Sequence, residues 1–396
     1  MNVPLDELLY ALSRSLDFVE AELLGVTTNH GKRTAFIAVQ VCKAMGMSEK
    51  DVFDMAGCAM LHDSALTNYM LSEGYNGLGK LENFKVHCTG GEEIAGDFPF
   101  LGDTAGIVLH HHENWDGSGF NGLSGNSIPV RAAVLRLADN MDLTLHMGDG
   151  RPGLGAEIKE HVTALNGTVY APQVVEALLS ILTDSFIEQL QDKNITVALR
   201  ESIKSVEVNL STKQMLNICN MFAGIIDAKS PFTRTHSKGV AALIAIMCDV
   251  YNIGGEYKDE LVIAGYMHDI GKLSTPREIL EKTGPLSTKE MELMRNHVSV
   301  TGELLSEVRG LEKVVNWSVS HHEQLNGSGY PKGLVGSSIG FESRLIACCD
   351  IYQALTEDRP YRAGMAHEKA QAILNEMAAG GGLDYEVVDV LCSAVA

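Results

Sequence analysis

The residues with the clearest chemical potential are histidines and aspartates that occur twice, in the same order, along the chain. HHEQLNGSGYPKGL at residues 321–334 has a counterpart in HHENWDGSGFNGL at residues 111–123. Ten of the 14 histidines occupy matched positions, at an offset that stays near half the chain length. The first set is His30, His62, Asp63, His87, His111, His112 and Asp139, and the second is His236, His268, Asp269, His297, His321, His322 and Asp350. The sequence therefore predicts an internal repeat with a conserved polar site in each copy.

Such a set of imidazoles and carboxylates indicates metal binding. Seven ligands exceed the roughly four of a tetrahedral zinc site. Neighbouring residues on a helix diverge by about 100°, so His321 and His322 are expected to serve two metals, with Asp269 bridging them. Nitrogen and oxygen ligands without thiolates favour iron or manganese, with zinc and nickel as alternatives. Two metals about 3.5–4 Å apart can activate water and clamp a phosphate. Histidines that merely cap helices would not explain why all seven residue types recur.

Helical periodicity predicts an all-α protein of two bundles, over residues 1–190 and 205–396. TPREILEK indicates a helix capped by Thr275 with Glu278 three residues later, and STKEMELMRNHV one capped by Ser287 with Glu290. The β-branched segments NITVALRESI and VEVNL fall at the junction between copies. There, a short extended link and a continued helix are both compatible with the sequence.

Composition limits the class of protein and of partner. The 396 residues carry a net charge of −20, which repels long DNA or RNA. No apolar run is long enough to span a bilayer, and the amphipathic, acidic N-terminus does not resemble a signal peptide. Eight cysteines without CxxC spacing are expected to be buried and reduced. We therefore expect a cytoplasmic protein.

The second copy resembles the HD-GYP domain, a bacterial cyclic dinucleotide phosphodiesterase of the HD superfamily. The resemblance rests on HDIGK, the His297 helix, HHE…GSGYP and DIYQALTEDRPYR, and it covers residues 213–396. It implies a helical fold, a pair of divalent metal ions held by the seven residues of the second set, and a cyclic dinucleotide substrate. Some family members have a glutamate four residues before the first histidine and hold a third metal. Phe232 stands at that position here, so two metals are expected.

The resemblance also assigns residues outside the metal set. Lys272 matches the family lysine that contacts the scissile phosphate, and with Asp269 it forms the expected catalytic pair. Arg359 and Arg362 match cations that bind the other phosphate, although a salt bridge at a helix end is the ordinary alternative. Gly329, Tyr330 and Pro331 form the loop that the family links to the substrate pocket and to partner contact, a homodimer or a cyclic dinucleotide synthase. A purely structural turn is the alternative for this loop.

The first copy departs from that pattern around its histidines. Leu66 replaces the lysine, Gly119-Phe120-Asn121 replaces Gly-Tyr-Pro, and the RPYR segment survives only as Arg151-Pro152, out of register. The copy could still load metal. Since the cations for a dianionic substrate are gone, we expect a regulatory or scaffolding half that packs against the catalytic one.

The sequence therefore predicts hydrolysis of cyclic di-GMP to pGpG, and further to GMP, or of 3′3′-cyclic GMP-AMP to a linear dinucleotide. A metal-activated hydroxide would attack the phosphorus, and a metal-bound water or Lys272 would protonate the departing oxygen. Two other classes stay open: a cyclic dinucleotide receptor with little turnover, and an HD-type nucleotidohydrolase.

Overall fold

The chain divides into two compact units that together contain almost only helices. The computed structural model describes residues 2–24, 29–67, 84–230, 235–358 and 363–396. One unit is Leu12–Val206, here the N-terminal unit. The other, here the C-terminal unit, combines Met1–Ala11 with Glu207–Ala396. The first helix, α1 (Leu5–Leu24), begins in the C-terminal unit and continues into the N-terminal one.

The N-terminal unit is built from α1 and eight further helices among its described residues. They are α2 (His30–Ala44), α3 (Glu49–Leu61), α4 (Phe84–Gly96), α5 (Val130–Leu145), α6 (Leu154–Ala164), α7 (Pro172–Ile181), α8 (Asp184–Gln189) and α9 (Ile195–Ser202). Helix α2 lies at the centre and packs against α3, α5, α7 and α9. Twelve of its residues are buried, and they include His30, the first residue of the helix. This histidine therefore lies inside the protein.

The C-terminal unit repeats this plan over its described residues. Its helices are α10 (Thr212–Ala228), α11 (His236–Val250), α12 (Gly255–Met267), α13 (Arg277–Leu280), α14 (Thr288–Leu305), α15 (Glu312–Ser318), α16 (Phe341–Thr356), α17 (His367–Ala379) and α18 (Tyr385–Ala394). Helix α11 is the central one and packs against α10, α12, α16 and α18. His236 is its first residue, as His30 is of α2.

The predicted all-α class is confirmed, with one short addition. Strands β1 (Asn2–Pro4) and β2 (Glu207–Asn209) pair antiparallel. The junction uses both predicted conformations, because α9 covers most of NITVALRESI and β2 lies in VEVNL. The strand pairing fixes the start of the chain within the C-terminal unit, which periodicity could not predict.

Local capping explains several helix starts. Ser287 and Glu290 form the predicted capping box, an arrangement that typically contributes about 1 kcal/mol. The predicted cap at Thr275 is wrong: α13 begins at Arg277 after Pro276, with no side-chain cap. The Thr275 side chain is buried instead, which places its hydroxyl away from the free N–H groups of the helix.

All eight cysteines are free and buried, as expected for reduced thiols. Within the five described ranges, no helix combines the length and apolarity needed to cross a membrane.

Candidate active site

The C-terminal unit brings its seven matched residues together from five segments. His236 opens α11, and His268-Asp269 lies between the end of α12 and a 3₁₀ turn over Ile270–Ser274. The remaining four come from α14 (His297), the turn after α15 (His321 and His322) and α16 (Asp350). The adjacent histidines therefore lie in a turn, and the expectation that they lie on a helix is wrong. Six of the seven are buried, and His322 is half-buried.

Asp269 is the centre of this cluster, and its two oxygens face different groups of imidazoles. Oδ2 lies 3.2 Å from His268 Nε2 and 3.5 Å from His236 Nε2. Oδ1 lies 3.4 Å from His297 Nε2 and 3.9 Å from His321 Nε2. A carboxylate that offers one oxygen to each of two nitrogen groups has the geometry of a bridging ligand.

Asp350 completes one of the two groups. Its Oδ1 lies 3.0 Å from His236 Nε2, and its Oδ2 lies 3.9 Å from His322 Nδ1. Two sets of potential ligand atoms result: His236, His268 and Asp350, and Asp269, His297, His321 and His322. The adjacent histidines fall in the same set, which differs from the expectation that they serve two different metals.

The imidazoles are oriented by their backbone so that one nitrogen points into the cluster. The Nδ1 atoms of His268, His297 and His321 lie 2.7, 2.6 and 2.5 Å from the carbonyl oxygens three residues earlier. Each Nδ1–H can therefore donate to a carbonyl, which leaves Nε2 with a lone pair. These three Nε2 atoms, that of His236, and Asp269 Oδ1 are buried without a hydrogen-bond partner. Such a concentration of unsatisfied acceptors is costly unless a cation fills it, so the residues fit a metal pair.

The electrostatics of His297 and His322 agree with that fit. Burial lowers the pKa of His297 to about 4 and that of His322 to about 3, so both rings are neutral ligands at neutral pH. Burial also disfavours a charged His236, but the carboxylates of Asp350 and Glu357 outweigh it and raise the pKa to about 9. Burial opposes the charge of Asp269, yet His268 and Lys272 hold its pKa well below the usual range.

The 3₁₀ turn also places Lys272, the predicted phosphate contact. Its Nζ forms an ion pair with Asp269 Oδ2, at the edge of the cluster where its side chain keeps some exposure. Gly271 allows this turn to pack on α14, because a Cβ there would lie 2.0 Å from the His297 carbonyl oxygen. The spacing of HDIGK is therefore dictated by close backbone packing beside the ligands.

The Gly329-Tyr330-Pro331 loop lies directly over the cluster. The Tyr330 ring packs on His322 at a centroid distance of 4.7 Å, and the Arg295 guanidinium lies 4.9 Å from the centroid of the Tyr330 ring. The Glu323 carboxylate accepts hydrogen bonds from the amides of Lys332 and Leu334, which fixes the loop. The predicted phosphate ligands Arg359 and Arg362 lie outside the described residues, as does Phe232.

The N-terminal unit brings its own seven residues together in a similar way. His30 Nε2 lies 3.3 Å from Asp139 Oδ1, and His62 Nε2 lies 3.4 Å from Asp63 Oδ2. His87 Nε2 lies 3.2 Å from His111 Nε2. Three groups of potential ligands result: His30, His62 and Asp63; His62, His111 and Asp139; and His87, Cys88, His111 and His112. Neither oxygen of Asp139 has a hydrogen-bond partner, so this cluster also fits a cation.

The surroundings of the two clusters differ. Leu66, at the position of Lys272, is buried. Glu20 from α1 is also buried, and its Oε2 has no hydrogen-bond partner. Arg151, the remnant of the RPYR segment, instead forms ion pairs with Asp149 and Glu157 at the surface.

Sequence reasoning missed the carboxylates behind the first histidine of each cluster. Asp142 Oδ2 lies 2.7 Å from His30 Nδ1, and Glu357 Oε2 lies 3.7 Å from His236 Nδ1. Asp142 follows Asp139 by three residues on α5, a spacing that places both on one helix face. Glu357 lies in the DIYQALTEDRPYR segment, but nothing in its spacing indicates that it reaches His236.

Comparison with known proteins agrees with the fold. A family model described as an HD domain matches residues 20–162 and 220–387. The 3′3′-cGAMP-specific phosphodiesterase 1 of Vibrio cholerae is 31% identical, over 98% of this chain and 91% of the relative. A cyclic di-GMP phosphodiesterase of Pseudomonas aeruginosa is 31% identical over 53% of this chain and 51% of its own length.

A solved structure gives the same fold. The crystal structure of a cyclic GMP-AMP specific phosphodiesterase of Vibrio cholerae covers 100% of this chain and 98% of its own chain, with a TM-score of 0.67 at 22% identity. The chain belongs to the HD domain family, which is metal-dependent, and its resemblance to the HD-GYP members is confirmed.

Proposed function

We propose that this protein is a metal-dependent phosphodiesterase that hydrolyses a cyclic dinucleotide in its C-terminal unit. The observation that carries the proposal is the position of Asp269, whose two oxygens each face a separate pair of histidines. The full-length similarity to a 3′3′-cGAMP-specific phosphodiesterase supports the same reaction class.

The proposed ligands of the metal pair are the seven residues of the cluster. His236, His268 and Asp350 would hold one ion, and His297, His321 and His322 the other, with Asp269 between them. When bound, the two ions would supply Lewis acidity and activate water against phosphorus. The ligand chemistry favours iron or manganese, with zinc or nickel as alternatives that elemental analysis distinguishes.

The chain's own residues then position and neutralise the substrate. Lys272 lies beside Asp269, so its ammonium is placed to contact a phosphate held at the cluster. A charge-assisted contact of this kind contributes about 1.5–3 kcal/mol. Its proton could also pass to the departing oxygen, a role that metal-bound water could fill instead. Arg359 and Arg362 are proposed to bind the second phosphate.

The loop with Gly329, Tyr330 and Pro331 is proposed to form one wall of the substrate site. Tyr330 packs on His322, so a base entering above the cluster would meet its ring. The same loop is the proposed contact for a second copy or for a synthase.

Between the two substrates, we propose 3′3′-cyclic GMP-AMP as the preferred one. The relative that aligns over nearly the whole chain is named for that substrate, whereas the cyclic di-GMP enzyme aligns over 53% of it. Cyclic di-GMP differs in one base and is the natural competitor.

The experiment is a product assay on the metal-loaded full chain, with each cyclic dinucleotide supplied separately and products separated by chromatography. A linear dinucleotide from either substrate is expected, formed faster from 3′3′-cyclic GMP-AMP. Stoichiometric binding without product would instead identify a receptor. Triphosphate release from deoxynucleoside triphosphates, with cyclic dinucleotides untouched, would identify a nucleotidohydrolase.

For the N-terminal unit we propose a regulatory role. Its cluster has Leu66 in place of Lys272, so the cation that supports catalysis in the C-terminal unit is missing. The full chain carrying Asp269→Asn retains an intact N-terminal cluster, and strong turnover by this variant would contradict this division.

A further inference from the structure

The N-terminal unit contains a cavity that opens onto its histidine cluster. The reaction proposed above takes place in the C-terminal unit and does not use this cavity. Its volume is about 360 Å³. It is lined by His112, Asn114, Ser118, Gly119, Phe120, Arg136 and Asn140. His112 is the member of the cluster that faces it, since His87 and His111 are buried behind.

Arg136 on α5 supplies a positive charge in the wall of this cavity. Its Nε and Nη2 donate to Asn114 Oδ1 at 3.2 and 3.0 Å, and its Nη1 lies 3.5 Å from His112 Nδ1. Asn114 is a neutral acceptor, and among the described residues no carboxylate forms an ion pair with Arg136. The guanidinium is therefore held in one orientation by a neutral partner.

Asn140 provides a second donor on the same helix, one turn further on. Its Oδ1 accepts a hydrogen bond from the Tyr170 hydroxyl at 2.5 Å, which leaves the NH₂ group as a donor at the cavity wall. The Phe120 ring forms another wall and packs against His112 at 5.3 Å. The cavity thus combines donors at one end with an aromatic surface.

The second copy lacks both donors. Asp139 corresponds to Asp350, so Arg136 corresponds to Ala347 and Asn140 to Ile351. Conversely, Lys272 of the second copy corresponds to Leu66. The first copy therefore has no cation at the position of Lys272 but has one, Arg136, next to His112.

A guanidinium next to a loaded metal cluster is unfavourable unless an anion lies between them. A phosphate group satisfies this arrangement, because it accepts hydrogen bonds from an arginine fork and can also ligate a metal. From this geometry we propose that the N-terminal unit binds a small phosphate monoester, with its phosphate between Arg136 and a metal held at His112 and its organic part against Phe120. This revises the expectation that the first copy has lost all phosphate handling.

The test measures binding and is independent of the proposed catalysis. The full chain carrying Asp269→Asn, an isosteric change that disables the C-terminal cluster, is loaded with manganese. It is then titrated calorimetrically with inorganic phosphate and with guanosine 5′-monophosphate. One binding site per chain is expected, with tighter binding of the monophosphate and no binding in metal-free protein.

Adding Arg136→Gln should weaken both ligands by about 10- to 100-fold, since one charge-assisted contact is lost, while manganese content stays unchanged. Arg136→Lys should recover part of the affinity, and Asn140→Ala should have a smaller effect. Arg131→Gln is the matched control, because Arg131 lies on the same helix but bonds the Asp103 carbonyl. Equal phosphate affinity with and without Arg136, at equal manganese content, would overturn the proposal, as would an absence of phosphate binding in the loaded protein.

Discussion

The two histidine clusters have the same ligand types but different charged neighbours. In the C-terminal unit, Lys272 pairs with the central aspartate Asp269. In the N-terminal unit, the matching Leu66 is buried and apolar, while Arg136 approaches the cluster at His112. The two copies therefore have the same types of metal ligand but place a neighbouring basic side chain at different positions. An anion would be stabilised at a different position in each copy.

The backbone packing behind the clusters is conserved by different residues. In the C-terminal unit, Gly271 in the 3₁₀ turn lies against α14, where Thr301 accepts its amide hydrogen bond. In the N-terminal unit the turn carries Ala65, and the glycine is on the helix instead: a Cβ at Gly91 would lie 2.8 Å from the His62 carbonyl oxygen. The close approach is thus required in both copies, and a glycine on either partner provides it.

The largest effect is expected from the central aspartates. Asp269→Asn removes one negative charge and one ligand oxygen from the C-terminal cluster, so turnover should fall by at least about 10³-fold and metal content should drop. Asp63→Asn, the matched change, should lower metal content while turnover stays within a few-fold of wild type. Chromatographic product assays and elemental analysis measure both. An equal loss of turnover from the two changes would remove the distinction between the units.

Lys272→Leu reproduces the N-terminal residue in the C-terminal cluster. Because a charge-assisted phosphate contact is worth about 1.5–3 kcal/mol, turnover should fall by about 10- to 100-fold with metal content retained. Lys332→Leu, in the loop beyond Pro331, is the control for loss of a positive charge. If the Lys272 variant kept full activity, the comparison between the clusters would have to be explained without this cation.

Glu357→Gln should weaken metal binding at the C-terminal cluster by about tenfold, since residues that orient a ligand histidine contribute on that scale. Its carboxylate faces His236 and accepts hydrogen bonds from the amide and hydroxyl of Thr235. Asp142→Asn is the counterpart behind His30, and its effect should appear only in the N-terminal metal content. Competition with a chelator, followed by elemental analysis, separates the two. Unchanged metal retention in the Glu357 variant would contradict an orienting role.

The smallest effect concerns Glu20, a carboxylate beside the N-terminal cluster. Burial raises the pKa of Glu20 from 4.5 to about 8 in the metal-free protein. Between these pH values the folded state binds more protons than the unfolded state, so this group lowers the free energy of unfolding as the pH rises from about 4.5 to about 8. Glu20→Gln should therefore stabilise metal-free protein near pH 8 and leave its stability near pH 4 unchanged.

Thermal unfolding at the two pH values measures this difference, with Glu22→Gln, an exposed position on the same helix, as control. In the metal-loaded protein the sign should reverse, because an ionised Glu20 lies next to cations. The same stability change at both pH values would mean that Glu20 acts through packing and not through its charge.

Much of the fold and of the candidate site could be predicted from the order and spacing of the residues. The repeat of histidines and aspartates predicted two clusters, and both sets of seven do come together. Helical periodicity predicted the all-α fold, since apolar faces recur with the helical period. The Ser287 capping box was predicted because its signal is confined to four neighbouring residues.

Other features depend on contacts between distant segments. The position of Glu357 behind His236 and the pairing of β1 with β2 both join residues far apart in the chain. Nothing in the sequence distinguishes Arg136 from other helix residues, and only the position of α5 shows that it lies beside His112. The sequence alone fixed which residue types are available and which helices carry them, because propensity and periodicity are local. Only the tertiary structure decided where each charge lies relative to the clusters, because electrostatic energy depends on distance in space and not on separation along the chain.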